Sequence, residues 1–142
     1  MATSSYEVAV ASDRVSRAQG DGWLVFSVTL LSLAGMWNVF DGLLAIGKSK
    51  VYGPASVYVF SDLRTWGWIV LGLGVLLLVA ALTILSGSQF GRWFGIAAAG
   101  VNAIGQLAFV PAAPFWALTM FTVDLLIIYA LSVYGGRVVR DL

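Results

Sequence analysis

The sequence predicts an all-α protein, an antiparallel bundle of four transmembrane helices with an extracytoplasmic loop segment between the first and second helices. Of the 142 residues, 60% are hydrophobic and 11% are charged, whereas soluble domains average about 45–50% and about 25%. The apolar residues form four blocks, each long enough for a helix to cross about 30 Å of hydrocarbon. Membrane strands are shorter and alternate, so helices are the consistent interpretation.

The composition also excludes several classes of function. The chain contains no histidine and no cysteine, which removes thiol chemistry, Cys–His and Ser–His nucleophiles and the usual zinc sites. The net charge is +1, and no basic stripe suggests a nucleic-acid partner. We therefore expect a protein that is not an enzyme and has no cofactor and no metal site.

The elements follow in order. The predicted spans are roughly 22–46, 65–85, 91–110 and 114–134, and together they form a membrane domain over 22–134. Residues 1–21 are polar, lack the order of a signal peptide and are predicted to be a cytoplasmic tail, with a short surface helix around 6–18 as an option. Residues 135–142 are predicted to be a second cytoplasmic tail.

Two short breaks set the direction of neighbouring helices. Ser86–Gln89 separates the second and third spans, and Pro111–Pro114 separates the third and fourth. Such short connections require antiparallel neighbours, and Pro114 suits the first turn of a helix. Segment 47–64 is long for a helix–helix connection, so we expect it to lie on the outer face, either helical or extended. Ser61 or Asp62 is a candidate cap for the second helix.

The basic residues suggest the orientation. Both termini lie on one side if there are four spans, and that side carries more Lys and Arg, which favours the cytoplasm. Tryptophans near the span ends are typical of the aromatic belt at a membrane surface, with ligand stacking as the less favoured role. The predicted interface anchors are Trp23, Trp66, Trp68, Trp93 and Trp116.

Polar residues inside the predicted spans are the candidate site. Asp124 lies near the centre of the fourth span, where an acid is costly and faces the bundle interior. Asn102 and Gln106 share one face of the third helix, and Asn38 and Asp41 share one face of the first. We expect these five to form a buried polar cluster in the outer half of the bundle. Further hydroxyls extend it in this prediction: Thr119, Thr122 and Tyr129.

Two roles remain open for that cluster. Polar side chains hydrogen-bond between membrane helices and fix their register without any further activity. Intramembrane acids also mark proton or substrate pathways. The first role is the favoured hypothesis, because the sequence around the two acids contains no nucleophile or metal motif.

Small residues form a second pattern. Gly91, Gly95 and Ala99 recur every four residues on the third predicted helix, a spacing that lets helices approach closely. Glycines also crowd the second helix at Gly67, Gly72 and Gly74. These residues suit packing within one chain, dimerisation, or docking on a larger complex.

Four motifs resemble an uncharacterised family of four-helix membrane proteins that is common in actinobacteria. They are Trp37–Gly42, Thr65–Trp68, Asn102–Leu107 and the stretch from Pro111 to Leu125, and the resemblance covers roughly residues 20–135. It implies a location in the bacterial cytoplasmic membrane and a domain of unknown function. The family often has an aromatic residue between the two prolines, where this chain has Ala112 and Ala113.

The leading functional hypothesis is therefore an accessory or scaffold subunit of a larger membrane assembly. Its expected partners are the lipid bilayer and either another membrane protein or further copies of the chain. The alternatives are a small oligomeric proton-coupled transporter and a lipid- or quinone-binding module, both of which use the polar cluster.

Overall fold

The computed structural model describes residues 2–48, 63–111 and 113–138, which are helical apart from short turns. Four long helices and one short one follow each other: α1 (Ala2–Lys48), α2 (Leu63–Leu85), α3 (Gln89–Phe109), α4 (Pro114–Val133) and α5 (Gly135–Val138). No strand occurs in these ranges. Most of the predicted segment 47–64, including Ser61 and Asp62, lies outside the described residues.

Three helices in the described ranges are long and apolar enough to cross a membrane, which indicates a membrane protein. These candidate spans lie at Thr3–Gly47, Arg64–Leu85 and Pro114–Val133, in α1, α2 and α4. The sequence predicts a fourth span in α3, which has 21 residues but is not among them. Its apolar positions are mostly alanine and glycine, and Arg92, Asn102 and Gln106 lower its hydropathy further.

The first helix extends far beyond the rest of the bundle. It has 47 residues, about 70 Å at 1.5 Å per residue, against about 35 Å for α2. Residues 2–21, predicted to be a tail, form its first part because no proline interrupts them. They are almost entirely exposed, and Arg17 pairs with Asp13 one turn earlier at 3.0 Å.

The contact between α1 and α2 is built from glycines. Gly42 lies against Gly67, and Gly35 lies against Gly74. A Cβ on Gly42 would stand 2.6 Å from the backbone nitrogen of Leu71, and one on Gly74 would stand 2.6 Å from that of Val39. No side chain fits at these distances, so the two backbones touch directly. Gly72 faces away, with nothing within 4 Å of its Cβ position.

The predicted small-residue stripe of α3 faces the interior of the same chain. A Cβ on Gly91 would meet the backbone of Thr83 at 2.6 Å, and one on Gly95 would meet the side chain of Ile84 at 2.9 Å. Ala99 is 0% exposed, so all three members of the stripe lie on the packed face of α3.

The turn between α2 and α3 contains the one positive φ angle found among the described residues. Gly87 adopts φ 74°, a left-handed conformation that glycine adopts without steric cost. The hydroxyl of Ser88 then caps α3 by accepting from the backbone N–H of Gly91 at 3.4 Å. The turn therefore brings Gly91 directly against the end of α2.

The apolar core lies where the four long helices meet. Its fully buried members come from every helix and include Leu31 of α1, Leu77 of α2, Ala99 of α3 and Ile127 of α4. Helix α1 contacts α2 and α4, and α3 contacts the same two helices. The four helices therefore form a ring in which α1 and α3 are diagonal.

Arg92 donates hydrogen bonds to the C-terminal end of α4. The Nε of Arg92 donates to the backbone oxygen of Leu131, and its Nη2 donates to that of Ser132, both at 2.8 Å. These carbonyls lie in the last turn of α4, where no intrahelical donor remains and the helix dipole is negative. Arg92, at the start of α3, thus caps the end of α4.

Candidate functional site

A chain of buried polar side chains crosses the middle of the ring. The amide nitrogen of Asn38 on α1 donates to Oδ1 of Asn102 on α3 at 2.6 Å. The amide nitrogen of Asn102 donates in turn to Oδ2 of Asp124 on α4 at 2.8 Å. A carboxylate only accepts hydrogen bonds, so its presence orients the Asn102 amide, which then orients that of Asn38.

All three residues are withdrawn from the surface. Asp124 is 0% exposed, Asn102 is 3% exposed and Asn38 is 6% exposed. Oδ1 of Asp124 is buried and has no hydrogen-bond partner among the described residues. Since an unpaired buried polar atom is costly, the Asn102 bond is the main local compensation for burying this carboxyl group.

A cleft of about 40 Å³ lies beside this polar chain. It occupies the end of the bundle where α1 and α3 finish and where α2 and α4 begin. The polar chain contributes Asn38 and Asn102 to its wall, and Asp41 and Gln106 line it one helical turn nearer that end. The remaining lining residues are Trp37, Trp66, Val70, Leu73, Gly105, Phe109 and Trp116.

Two aromatic pairs stand on opposite sides of the cleft. Trp37 of α1 lies against Trp116 of α4, with ring centroids 4.9 Å apart. Trp66 of α2 stacks on Phe109 of α3, with centroids 6.1 Å apart and planes 6° from parallel. Because the α1–α4 and α2–α3 contacts are opposite sides of the ring, the rings enclose the polar wall from both directions.

The five residues of the predicted polar cluster therefore lie in one region of the bundle, but they divide into two groups. Asn38, Asn102 and Asp124 form the buried hydrogen-bonded chain, whereas Asp41 and Gln106 line the cleft. Asp41 is exposed, so it stands at the mouth of the cleft. No described residue forms an ion pair with its carboxylate.

The predicted extension of the cluster along α4 is wrong. The hydroxyls of Thr119 and Thr122 donate to carbonyls of their own helix, those of Phe115 and Leu118, and both residues are exposed. Tyr129 is 51% exposed and packs edge-on against Trp23 at the other end of the bundle. These three residues lie on faces of α4 that point away from Asp124.

The predicted interface anchors divide between the two ends of the bundle. Trp66 and Trp116 line the cleft, and Trp68, nearby on α2, is 57% exposed. At the other end, Trp93 is 60% exposed and Trp23 stacks on Tyr134 with centroids 5.2 Å apart. The structure thus places Trp66 and Trp116 in the lining of the cleft, in addition to their place near the ends of predicted spans.

Sequence reasoning missed three cleft residues that carry much of its shape. Trp37 and Phe109 complete the aromatic pairs, and Gly105 leaves open space where a side chain would stand. A signal was present, since Trp37 precedes Asn38, and Gly105 and Phe109 lie three and seven residues beyond Asn102, on the same helical face. These three residues are apolar, so a search for polar residues inside the spans passes over them.

The described residues of the cleft offer a negative charge, hydrogen-bonding groups and aromatic faces. In the part of the chain that the structure describes, its lining contains one carboxylate, three side-chain amides and four aromatic rings, with no lysine or arginine. Within the described ranges, no three acidic residues come together as a metal site would require. The predicted absence of a catalytic group or cofactor stays a prediction.

The comparisons with known proteins agree with the resemblance noted in the motifs. The chain matches the family model described as "Domain of unknown function (DUF7144)" over residues 23–136, which includes every residue of the polar chain and cleft. The match begins where the exposed first part of α1 ends. No curated protein and no solved structure matches the chain. The expectation of an uncharacterised family is confirmed, and the chain belongs to the DUF7144 family.

Proposed function

We propose that this protein is a non-enzymatic membrane protein that binds a small polar molecule or a lipid headgroup in the cleft. The cleft itself is the observation that carries this proposal. Amides and a carboxylate line it on the inside, aromatic rings flank it, and its volume of about 40 Å³ holds about three water molecules. That volume suits one polar end of a small molecule or headgroup.

The proposed topology is an antiparallel bundle of four spans in the bacterial cytoplasmic membrane, with both termini in the cytoplasm. The pairing of Gly35 with Gly74 and of Gly42 with Gly67 supports opposite directions for α1 and α2. Helix α3 joins α2 and α4 through short turns, and its 21 residues cover about 31 Å, the thickness of the hydrocarbon. Its polar residues turn inward, which suits a helix of low hydropathy.

A pair of glycines on α3 allows a sharp test. Gly105 lines the cleft, and Gly100 does not. Both have nothing within 4 Å of their Cβ positions, so the Cβ of a larger side chain meets no backbone at either. The variant Gly105→Leu should fill the cleft, and Gly100→Leu is its matched control.

The measurement is native mass spectrometry of the protein extracted in mild detergent. We expect the wild type and Gly100→Leu to retain a bound lipid or small molecule, and Gly105→Leu to lose it while unfolding at the same or higher denaturant concentration. Retention of the same ligand by Gly105→Leu, or no retained ligand in the wild type, contradicts binding in the cleft. Ligand uptake into proteoliposomes would indicate a transporter instead of a binding module.

A second candidate function is that of an accessory or scaffold subunit. The observation that favours it is the exposed first part of α1, which extends beyond the bundle and displays Tyr6, Val8 and Val15 at 67–72% exposure. Purification in mild detergent should then recover a stoichiometric partner. A variant lacking residues 2–19 should lose that partner, and a strictly monomeric wild type under crosslinking would exclude the role.

A further inference from the structure

We propose that the cleft binds an organic ammonium group, with Asp41 as its counter-ion and the aromatic pairs as its walls. This inference rests on the proposed function and names the class of ligand for the same site. The sources compatible with this chemistry are the headgroup of an aminophospholipid and a free amine. The charge, the aromatic geometry and the hydrogen-bonding groups of the cleft each support this assignment.

The charges of the lining favour a cation. Among the described lining residues, Asp41 is the one ionisable residue, and it comes from α1. Asp124 adds a second carboxyl group behind Asn102. Arg64, near the start of α2, is not part of the lining. An anion in the cleft would face Asp41 with no cationic side chain among the described lining residues, whereas an ammonium group would be attracted.

The aromatic pairs favour the same class. Faces of tryptophan and phenylalanine attract cations that lie within about 6 Å of the ring centroid, and aromatic cages are the common recognition device for organic ammonium groups. Trp37 and Trp116 meet at 46°, so their faces are tilted and do not cover each other. The opposite wall is the stack of Trp66 on Phe109.

The hydrogen-bonding groups explain why an ammonium group would be held in one orientation. The amide nitrogen of Asn38 takes part in the polar chain, as do both the oxygen and the nitrogen of the Asn102 amide. The carboxylate of Asp41 and the side-chain oxygen of Gln106 remain as acceptors at the mouth. An ammonium group has N–H donors and no acceptor, which complements that pair.

The test is a titration of the full-length protein in detergent with ligands that differ mainly in charge. Ethanolamine carries the ammonium group, ethylene glycol is its neutral counterpart of equal heavy-atom count, and glycolate is the anion. Binding is followed by tryptophan emission, because three tryptophans line the cleft. We expect ethanolamine to bind with a Kd at least about tenfold below that of ethylene glycol, as a charge-assisted contact implies, and glycolate not to bind.

Two variants assign the preference to the cleft. Asp41→Asn should raise the Kd for ethanolamine about tenfold or more, to the value for ethylene glycol. Asp21→Asn, an exposed acid outside the cleft, should leave both values unchanged. An unchanged Kd in Asp41→Asn would overturn the proposal, and the wild-type ligand series tests it even if that variant fails to fold.

The outcomes distinguish a failure of the ammonium assignment from a failure of the proposal that the cleft binds a ligand. Equal affinity for ethanolamine and ethylene glycol overturns the ammonium assignment and leaves cleft binding intact. No binding of any of the three ligands, together with equal lipid retention by Gly105→Leu and Gly100→Leu, overturns both. In nanodiscs, selective retention of phosphatidylethanolamine over phosphatidylglycerol identifies a lipid headgroup as the ligand. Saturable ethanolamine binding without that selectivity identifies a free amine.

Discussion

The side-chain amide of Asn102 donates a hydrogen bond to Oδ2 of Asp124 at 2.8 Å, in a part of the bundle where both residues are almost completely buried. The same amide accepts from Asn38 at 2.6 Å. Asn102 therefore connects α1 to α4 through α3. It also separates the buried acid from the cleft, since Asn102 lines the cleft and Asp124 does not.

Replacing Asn102 should destabilise the protein more than any change at an exposed position of α3. Asn102→Leu removes the donor to Asp124 and the acceptor for Asn38, leaving two buried polar groups unpaired. We expect a loss of about 1–3 kcal/mol in the free energy of unfolding, measured by denaturant titration in detergent micelles.

Two further variants serve as controls for this measurement. Ile104→Leu introduces the same residue at a position that is 69% exposed and should change stability by less than about 0.5 kcal/mol. Asp124→Asn keeps an acceptor for Asn102 and should cost much less than Asn102→Leu. If Asn102→Leu unfolds like the wild type, the polar chain does not stabilise the bundle.

The glycine contact between α1 and α2 predicts a contrast between two positions on one helix. Gly74→Ala would force a methyl group to within 2.6 Å of the backbone nitrogen of Val39, so the helices must separate. We expect a loss of about 1–3 kcal/mol, as for overpacked cores. The measurement is the same denaturant titration.

Gly72→Ala is the matched control for that contact, because nothing lies within 4 Å of its Cβ position. Alanine favours a helix over glycine by about 0.5–1 kcal/mol, so this variant should be as stable as the wild type or slightly more stable. Equal destabilisation by both substitutions would show that the close approach of α1 and α2 is not what holds them together.

The two hydrogen bonds from the guanidinium group of Arg92 to the last turn of α4 should not be reproduced by lysine. Arg92→Lys keeps the charge but replaces two directed donors with a single ammonium group, and we expect a loss of about 1 kcal/mol. Hydrogen exchange of the amides near the end of α4 and in α5 should accelerate.

The control for Arg92 is Arg17→Lys in the exposed ion pair with Asp13. Such surface pairs contribute less than about 1 kcal/mol, so this variant should match the wild type in both stability and exchange. Unchanged exchange at the end of α4 in Arg92→Lys would mean that other groups cap this helix.

The proposed topology predicts the side from which each turn is labelled. The chain has no cysteine, so a single introduced cysteine is a unique reporter for a membrane-impermeant thiol reagent. In intact cells, Ala113→Cys should be labelled from outside, whereas Gln89→Cys and Ala11→Cys should be labelled only after the cells are opened. Labelling of Gln89→Cys and Ala113→Cys from the same side would exclude α3 as a span.

The positions of most helices can be predicted from the sequence, because a helix that crosses lipid must be apolar over a defined length. Apolar length predicts where helices lie, and α2, α3 and α4 begin and end within two residues of the predicted bounds. The first part of α1 is the exception. Its polar composition suggested a tail, but polarity does not end a helix, and no proline occurs before residue 48.

The candidate site was predictable only as a set of residues. Helical spacing put Asn38 with Asp41 and Asn102 with Gln106 on shared faces, and the cost of burying an acid pointed Asp124 inward. The same reasoning wrongly added Thr119 and Thr122, because a hydroxyl can satisfy itself on its own helix, as both do. Nothing in the spacing reveals that difference.

The sequence by itself determined that this chain is helical and apolar enough for a membrane. It also determined which polar residues lie within the predicted spans, where burying them is costly. Only the tertiary structure decided that Asn102 joins Asn38 to Asp124, that Gly42 and Gly74 carry the α1–α2 contact, and that two aromatic pairs enclose a cleft. The physical reason is that a helix fixes the face a residue occupies. The rotation and depth at which another helix meets that face depend on packing between residues far apart in the chain.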